Sequence, residues 1–288
     1  MSNKIYNRKT KEYIIMPEPS ATLTFLYDTV VGRIFLKIMT TKAVSKLVGC
    51  YMNTRLSKYK INRFIKANNI DMSDYLDTTY KNFNEFFSRK IDPQKRPIQM
   101  DSNTLIAVAD SKLLRYKITP KLVLNIKNAN YTVEELLKDK EISKEYMGGE
   151  CLVFRLCVDD YHRYIYIDDG EVLQSKKITG VLHTVSPISD GKYKVYSQNS
   201  REWTLIKTKN FDNIIQMEVG AMCVGKIKNF HDKEVTRGQE KGYFEFGGST
   251  IIVFIKKDMV KIDGDILDNS FVGIETIVKQ GERIGEKM

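Results

Sequence analysis

A short segment near the end of the chain, Phe246-Gly247-Gly248-Ser249-Thr250, has residues suited to chemistry on the backbone itself. It separates two apolar runs, yet it lacks the Asn-Gly or Asp-Gly pair of an ordinary hairpin turn. Glycines before a bond let the backbone adopt a strained geometry without a Cβ clash. A serine hydroxyl after them becomes a good nucleophile when a base activates it. The segment is therefore either a bulge between strands or a site where Ser249 attacks the backbone.

Two other segments carry the groups that such chemistry needs, a base and a carboxylate that orients it. Asp110 ends the apolar run at residues 104–110, where an ordinary turn residue would also fit. His162 lies in an aromatic run at residues 159–170, where a hydrogen-bonded structural histidine is the ordinary alternative. Taken singly, Asp110, His162 and Ser249 each fit a structural role. Their combination is what points to catalysis.

The composition is that of an ordinary folded protein. The 288 residues are 42% hydrophobic and 28% charged, which is typical of neither disordered nor fibrous chains. The N-terminus lacks the apolar core of a signal peptide, and no run of about 18 apolar residues could span a bilayer. The cysteines have no close metal-ligand spacing, so we expect no metal site, no disulfide framework and a reducing compartment. The four cysteines are Cys50, Cys151, Cys157 and Cys223.

Almost all of the net charge of +10 lies in one segment. Residues 29–70 contain nine Lys or Arg and no Asp or Glu; subtracting these nine from 46 leaves 37 basic residues against 36 acidic ones. Val30, Ile34 and Ile38 recur there at helical spacing. Such basic amphipathic helices pack on their own core, bind nucleic acid or lie on anionic lipid. No nucleic-acid-binding pattern accompanies the charge, so we expect no nucleic-acid partner, and the other two alternatives stay open.

The order of the elements predicts an α+β fold, with a helical N-terminal layer and a β-rich, sandwich- or barrel-like body. Helical spacing over residues 29–70 is followed by a further helical stretch at residues 75–90. Thr132 is the expected N-cap of an isolated helix. We expect a basic N-terminal region at residues 1–95 and a β-rich domain at residues 96–288. Its predicted strands, rich in β-branched and aromatic residues, lie at 104–110, 122–126, 151–158, 161–167, 202–208, 214–227 and 249–257.

In this order the motifs resemble those of the pyruvoyl-dependent phosphatidylserine decarboxylase family, in particular bacterial forms of the clostridial type. Residues 83–98 are similar to the Phe-Phe-Arg segment of the family, and residues 108–112 to its Val-Asp-Gly-Lys turn. Residues 160–164 match its Asp-Tyr-His-Arg stretch, and residues 218–227 match its glycine-bearing strand. Residues 237–250, RGQEKGYFEFGGST, match the processing segment. This last match is the most specific because it is a long ordered set.

The resemblance implies that the chain is a zymogen that cuts itself between Gly248 and Ser249. Ser249 attacks the carbonyl of Gly248 to give an ester, and elimination leaves a heterodimer of residues 1–248 and 249–288. Ser249 becomes a covalent pyruvoyl group, which takes up the electrons released with CO₂. The implied reaction converts phosphatidylserine to phosphatidylethanolamine, with Asp110, His162 and Ser249 as catalytic residues. The resemblance also allows a dimer of this heterodimer.

The sequence departs from the family pattern at Ile165. The family has a second histidine three residues after the first, taken as the base for self-cleavage; here the first is His162, and Ile165 cannot accept a proton. Residues 162 and 165 of an extended strand point to opposite sides, so only an irregularity would turn His162 inward. His183 and His231 are the other candidate bases. The chain is then either an active decarboxylase that uses another base or an inactive, unprocessed relative that keeps the fold and lipid binding.

The resemblance favours the lipid interpretation of the basic segment. Phosphatidylserine is an anionic lipid, and each Lys or Arg near such a surface contributes about 1 kcal/mol to binding. Several basic residues with a shallow apolar face are enough for reversible docking. We therefore expect a peripheral protein on the cytoplasmic face of the cell membrane. A pyruvoyl enzyme acting on a free amino acid is the weaker alternative, because it would not need this segment.

Overall fold

Helix-forming and strand-forming patterns separate along the chain, and the fold follows them. The computed structural model describes residues 4–16, 21–76, 79–119, 131–183, 195–221, 227–246 and 249–288. Within these residues the fold is α+β, as predicted. Short 3-10 helices lie at Arg55–Tyr59 and Pro93–Lys95. The α-helices are α1 (Ala21–Asp28), α2 (Val30–Met39), α3 (Lys42–Met52), α4 (Lys60–Ala67), α5 (Phe83–Phe87), α6 (Val133–Leu137), α7 (Lys140–Lys144), α8 (Val195–Gln198) and α9 (Gly264–Phe271).

The strands are β1 (Lys4–Asn7), β2 (Glu12–Ile15), β3 (Thr104–Ile106), β4 (Ser111–Lys117), β5 (Glu150–Leu156), β6 (Arg163–Ile165), β7 (Gly170–Ile178), β8 (Arg201–Thr208), β9 (Asn213–Val219), β10 (Ile227–Asn229), β11 (Glu234–Val235), β12 (Glu240–Phe244), β13 (Ser249–Ile255), β14 (Val260–Ile262), β15 (Glu275–Val278) and β16 (Arg283–Lys287). Ten of them form a sheet in the order β11-β7-β8-β9-β13-β5-β4-β15-β1-β2. Two smaller sheets have the orders β10-β12-β6 and β14-β16-β3. The large sheet is open, so the body consists of layered sheets rather than a closed barrel.

The N-terminal region predicted to be helical begins with two strands instead. β1 pairs in parallel with β15 and antiparallel with β2. Arg8 then holds the connection by ion pairs with Asp263, Asp265 and Glu282. The pattern of two four-residue strands is too short to detect, and their partner β15 lies near the other end of the chain. The division into domains at residues 95 and 96 stays a prediction.

The helical stretch predicted for residues 75–90 is shorter than expected. The Asn82 side chain accepts a hydrogen bond from Glu85 N at 2.9 Å and so starts α5 at residue 83. Tyr75 instead bridges to Ile91 in an extended conformation. The isolated helix after Thr132 is confirmed, with a complete capping box. The strand predicted at residues 122–126 lies outside the described residues.

A cluster of phenylalanines joins the helical layer to the β-rich body. Phe83 and Phe87 of α5 pack against Phe246, with ring centroids 4.9 and 5.4 Å apart. Phe246 N also donates to Asn84 Oδ1 at 3.2 Å. Because Phe246 opens the segment singled out in the sequence, this cluster fixes one end of that segment against the helices.

Candidate functional site

One end of the ten-stranded sheet collects residues from distant parts of the sequence. β4 begins directly after Asp110, β5 ends at Leu156 and β13 begins at Ser249. β5 lies between the other two strands, and Ser249 pairs with Leu156. Two of the predicted site residues, Asp110 and Ser249, therefore lie at the same end of neighbouring inner strands. We call Asp110, Ser249 and the residues next to them the strand-end site.

Ser249 is fully buried, and its hydroxyl has no hydrogen-bond partner in the part of the chain that the structure describes. Thr250 pairs with Val219 of β9, so the register puts Gly220 opposite Ser249. A glycine there puts no side chain beside the serine. A buried hydroxyl without a partner costs stability and calls for an explanation. Gly248, the other residue of the predicted cleavage site, lies outside the described residues.

Asp110 is buried and held by cations. Its carboxylate accepts from Arg96 Nη2 at 2.7 Å, Lys279 Nζ at 3.1 Å and Gln280 N at 2.8 Å. Burial would raise the pKa of Asp110, but the charge of Lys279 and the hydrogen bonds from Arg96 outweigh it and lower the pKa. Among the described residues no histidine donates to this carboxylate. The role of Asp110 as the aspartate that orients a base stays a prediction.

His162 is buried beside the strand that leads to the processing segment. Its backbone carbonyl accepts from Phe244 N at 3.0 Å, and its ring lies 4.1 Å from the ring of Phe87. Nδ1 lies 2.8 Å from the carbonyl oxygen of Asp160. Because a carbonyl oxygen only accepts, Nδ1 carries the proton in the neutral ring and Nε2 is the basic nitrogen. His162 thus has the tautomer of a proton acceptor.

Ile165 has different surroundings from His162. Ile165 belongs to the main hydrophobic core, and its N–H donates to Val108 O at 3.0 Å. The pairing of β6 with β12 does contain an irregularity, between Glu240 and Gly242. His162 nevertheless packs against the phenylalanine cluster and not in the core around Ile165. His162 therefore does not take the position of the second family histidine.

The other two histidines differ in burial. His183 is buried, and burial lowers its pKa. The Asn199 side chain accepts from His183 N at 2.9 Å and donates to Gly220 O at 2.7 Å, so it holds His183 close to the strand-end site. The His231 side chain is 68% exposed and lies 3.9 Å from Glu202. Neither is brought into a hydrogen bond with Ser249.

A buried ion pair joins two of the sequence motifs. Lys112 Nζ donates to Asp160 Oδ2 at 2.6 Å, which ties residues 108–112 to residues 160–164. The Asp160 charge raises the pKa of Lys112 despite its burial. Ligand atoms of Cys157, Asp159 and Asp160 lie within 4.8 Å of one another, as in a metal site. The ammonium of Lys112 already supplies the positive charge at this cluster.

Sequence analysis missed a second buried ion pair at the strand-end site. Lys241 Nζ lies 2.7 Å from Glu218 Oε2, and both side chains are almost fully buried. Asn229 Nδ2 donates to the same oxygen at 2.9 Å, while Glu218 Oε1 has no hydrogen-bond partner among the described residues. Burial raises the pKa of Glu218, although the charge of Lys241 opposes this. Both residues lie in segments that matched the family, but a charged residue in an alternating strand ordinarily indicates a solvent-facing position.

A cavity of about 600 Å³ opens beside this site, between α3 and the strands around β8. Gly220, opposite Ser249, forms part of its wall. Lys46, Lys177 and Lys228 supply positive charge, and Glu202 supplies negative charge. The cavity can therefore take a polar group that carries both signs of charge.

The helical layer exposes an apolar face on α2. Val30 is 68% exposed, Ile34 60% and Phe35 53%. Arg33 and Lys37 are exposed on the same helix. Val30 and Ile34 therefore do not pack on the protein's own core, whereas Met52 and Ile61 of the same segment do. Among the described residues no helix is long and apolar enough to cross a bilayer.

Comparison with known proteins identifies the family of this chain. The profile of the phosphatidylserine decarboxylase family matches residues 83–286. This chain belongs to the phosphatidylserine decarboxylase family. It is 50% identical over 288 residues to phosphatidylserine decarboxylase proenzyme 2 of Clostridium acetobutylicum, covering 99% of both chains. It is 43% identical to the proenzymes of Clostridium perfringens, over 295 residues, and Clostridium botulinum, over 292 residues, again covering 99% of each chain.

The predicted resemblance to clostridial members of the family is confirmed by these relatives. The expectation of an enzyme is confirmed with it, because the family is one of decarboxylases. Nothing in the comparisons supports the alternative of an inactive relative.

Proposed function

We propose that this protein decarboxylates phosphatidylserine to phosphatidylethanolamine and CO₂, using a pyruvoyl group that it makes from Ser249 by cutting its backbone after Gly248. The observation that carries the proposal is the Ser249 hydroxyl, which is buried at the first residue of β13 with no hydrogen-bond partner in the described part of the chain. The relatives named phosphatidylserine decarboxylase proenzymes support both the substrate and the processing.

The residues around Ser249 fit a pyruvoyl group. The position is buried, and Gly220 opposite it has no side chain to obstruct a flat carbonyl. Once formed, the group would supply an electron-accepting carbonyl for the loss of CO₂. His162 Nε2 is the acceptor that we assign to proton transfer beside it. Asp110 stays ionised because its pKa is lowered, which suits a carboxylate that stabilises positive charge and not one that takes up protons.

The sheet topology supports a stable complex of the two products, residues 1–248 and 249–288. β13 lies between β5 and β9, and β15 lies between β4 and β1. The smaller product would thus contribute two inner strands of the sheet. Buried ion pairs also cross between the products, including Arg155 with Glu275. Separating the products would require the sheet to come apart, so we expect a tight heterodimer.

We assign the cavity next to Gly220 to the lipid headgroup. Phosphatidylserine carries a phosphate, a carboxylate and an ammonium, and the lysines and Glu202 at the cavity complement these charges. The cavity is bounded by α3, in the same helical layer as the exposed face of α2. A lipid whose headgroup lies in the cavity would therefore have this helical layer beside its acyl chains.

We assign the exposed face of α2 to an anionic membrane surface on the cytoplasmic side. Exposed apolar side chains on a soluble surface are unfavourable unless something covers them. Val30, Ile34 and Phe35 would enter the headgroup region, and Arg33 and Lys37 would contact lipid phosphates. The protein would then be peripheral, bound reversibly by a shallow apolar face and charge.

Two measurements on the purified protein test the proposal. Intact mass should show two species, the smaller one comprising residues 249–288 with a blocked N-terminus. Incubation with phosphatidylserine vesicles should then yield phosphatidylethanolamine, measured by mass spectrometry, while free serine should give no ethanolamine. A chain that stays whole and produces no phosphatidylethanolamine would show the proposal to be wrong. Turnover of free serine in place of the lipid would overturn the substrate assignment.

A further inference from the structure

Self-cleavage of this chain requires two different protons to be removed, one from Ser249 Oγ before its attack and one from Ser249 Cα during elimination. The family pattern supplies a histidine at the position of Ile165, and here that side chain is part of the hydrophobic core. His162 is one acceptor. The acceptor for the Oγ proton has to be a residue whose side chain faces Ser249.

We propose that Glu218 is the base that takes the proton from Ser249 Oγ. This inference rests on the self-cleavage proposed above and names a residue that carries it out. Glu218 is on β9, the strand next to β13, and its partner in the register is Ile251. Side chains two residues apart on a strand share a face, so Ser249 and Glu218 lie on the same face as diagonal neighbours, with Cα atoms about 7–8 Å apart.

The hydrogen bonding of the two side chains leaves the facing atoms available. Lys241 and Asn229 both bind Glu218 Oε2, and Oε1 has no partner among the described residues. The Ser249 hydroxyl likewise has no hydrogen-bond partner among the described residues. Gly220 is the residue of β9 directly opposite Ser249, so no side chain of that strand stands between the two groups. A general base acts within hydrogen-bond reach or through one water, so the proposal requires a rotamer change or a bridging water across this diagonal.

The surroundings of Glu218 make it a stronger base than an ordinary carboxylate. Burial raises its pKa, and the contacts with Lys241 and Asn229 only partly offset this. Lys241 also keeps a negative charge stable in the buried site. The titratable groups that face Glu218 are Lys241 on β12, Glu202 on β8, Tyr164 on β6 and Tyr166 just after β6.

The proposed step is an acyl shift from the backbone nitrogen of Ser249 to its Oγ, and its bonds and protons balance. Glu218 accepts the Oγ proton while Oγ forms a bond to the carbonyl carbon of the preceding residue. The bond from that carbon to the Ser249 nitrogen then breaks, and the proton passes from Glu218 to the leaving amine. Glu218 returns to its ionised form with the ester in place. The Cα proton is left to a second acceptor, for which His162 Nε2 is the candidate.

The test compares the rate of self-cleavage in three chains, followed by intact mass after synthesis or refolding. Glu218→Gln alone would leave Lys241 as an unpaired buried charge, which destabilises the fold for a trivial reason. The test variant is therefore Glu218→Gln with Lys241→Met, which removes both charges and keeps the volumes. The matched control is Glu150→Gln, a buried, ion-paired glutamate at the opposite end of the same sheet. We expect the double variant to cleave about 100-fold more slowly or not at all, and the control to cleave at close to the wild-type rate.

Cleavage of the double variant at the wild-type rate would overturn the role of Glu218 and leave the proposed function standing. A wild-type chain that stays whole would overturn both. A second measurement does not depend on folding of the variant: cleavage of the wild-type chain should slow as pH is lowered toward the pKa of Glu218, which burial raises above the ordinary glutamate value of about 4.3. A rate that stays constant as pH is lowered to that ordinary value would also contradict the proposal.

Discussion

The strand-end site and the α2 face depart from ordinary folding preferences in opposite directions. The site buries charged and hydroxyl groups, among them Asp110, Glu218 and Ser249. The α2 face leaves Val30 and Ile34 in solvent. The Ser249 hydroxyl, which has no hydrogen-bond partner among the described residues, and the exposed apolar side chains of α2 are both unfavourable for stability. The difference teaches that the proposed chemistry and the proposed membrane contact are assigned to separate layers of the molecule.

Two carboxylates within the strand-end site show how the surroundings decide charge. Asp110 and Glu218 are both buried, and burial raises the pKa of each. Asp110 has two cations and a backbone amide around it, so its pKa ends below the usual value. Glu218 has one cation, Lys241, among the described residues, and its pKa ends above the usual value. One carboxylate is therefore suited to stay charged, and the other to accept a proton.

The largest expected effect comes from removing the nucleophile. Ser249→Ala should abolish self-cleavage completely, because no other hydroxyl begins β13, and intact mass should show one full-length species. Ser143→Ala, which removes a buried serine hydroxyl from α7, is the matched control and should cleave as the wild type does. If the Ser249→Ala variant still gave two product chains, neither Ser249 nor the strand-end site would take part in self-cleavage.

Asp110→Asn should destabilise the protein by about 3 kcal/mol, because it leaves Arg96 beside a neutral group in a buried position. The free energy of unfolding from urea titration measures this. Asp101→Asn, at an exposed turn, is the control and should change stability by less than about 0.5 kcal/mol. A cost for Asp110→Asn as small as that of the control would mean that its cations contribute nothing, which would undo the contrast with Glu218.

Substitutions on the α2 face should weaken binding to membranes without changing the stability of the protein. Arg33→Gln with Lys37→Gln should weaken binding to phosphatidylserine vesicles by about 2 kcal/mol, or roughly 30-fold, because each cation contributes about 1 kcal/mol. The melting temperature should stay unchanged, since both side chains are exposed.

Lys257→Gln with Lys261→Gln removes the same charge from another exposed region and is the control. Vesicle co-sedimentation at low and high salt measures both variants. Equal losses in the two would show that net charge, and not the α2 face, directs docking.

The smallest expected effect is on the pH dependence of stability, to which Asp110 and Glu218 should contribute with opposite signs. The lowered pKa of Asp110 adds stability above its unfolded value of about 3.9, and this is lost as pH falls through the folded value. The raised pKa of Glu218 works in the opposite sense, because the folded state then holds more protons than the unfolded state. The stability cost of Asp110→Asn should therefore shrink as pH is lowered, and that of Glu218→Gln should grow. Unfolding curves at several pH values measure both, and parallel trends would contradict the contrast.

Local patterns were enough for much of the fold. Thr132 predicted its helix correctly because a capping box needs only residues that are adjacent in sequence. The continuous apolar run after Thr250, rich in β-branched residues, predicted β13 for the same reason. The family was recognisable because residues 237–250 form one uninterrupted motif. The β1–β15 pair was missed, because its strands lie at opposite ends of the chain and each is too short to show a period.

The sequence by itself determined the family, the α+β class and Ser249 as the residue to examine, since each depends on neighbours along the chain. Only the tertiary structure decided which carboxylate is surrounded by cations and which faces the serine. Arg96 and Lys279 contact Asp110, and Lys241 contacts Glu218. These partners lie in separate segments of the sequence, so local periodicity does not predict that they meet. The structure likewise decided that the apolar face of α2 stays uncovered. Helical spacing defines such a face, but what covers it depends on how the other layers pack.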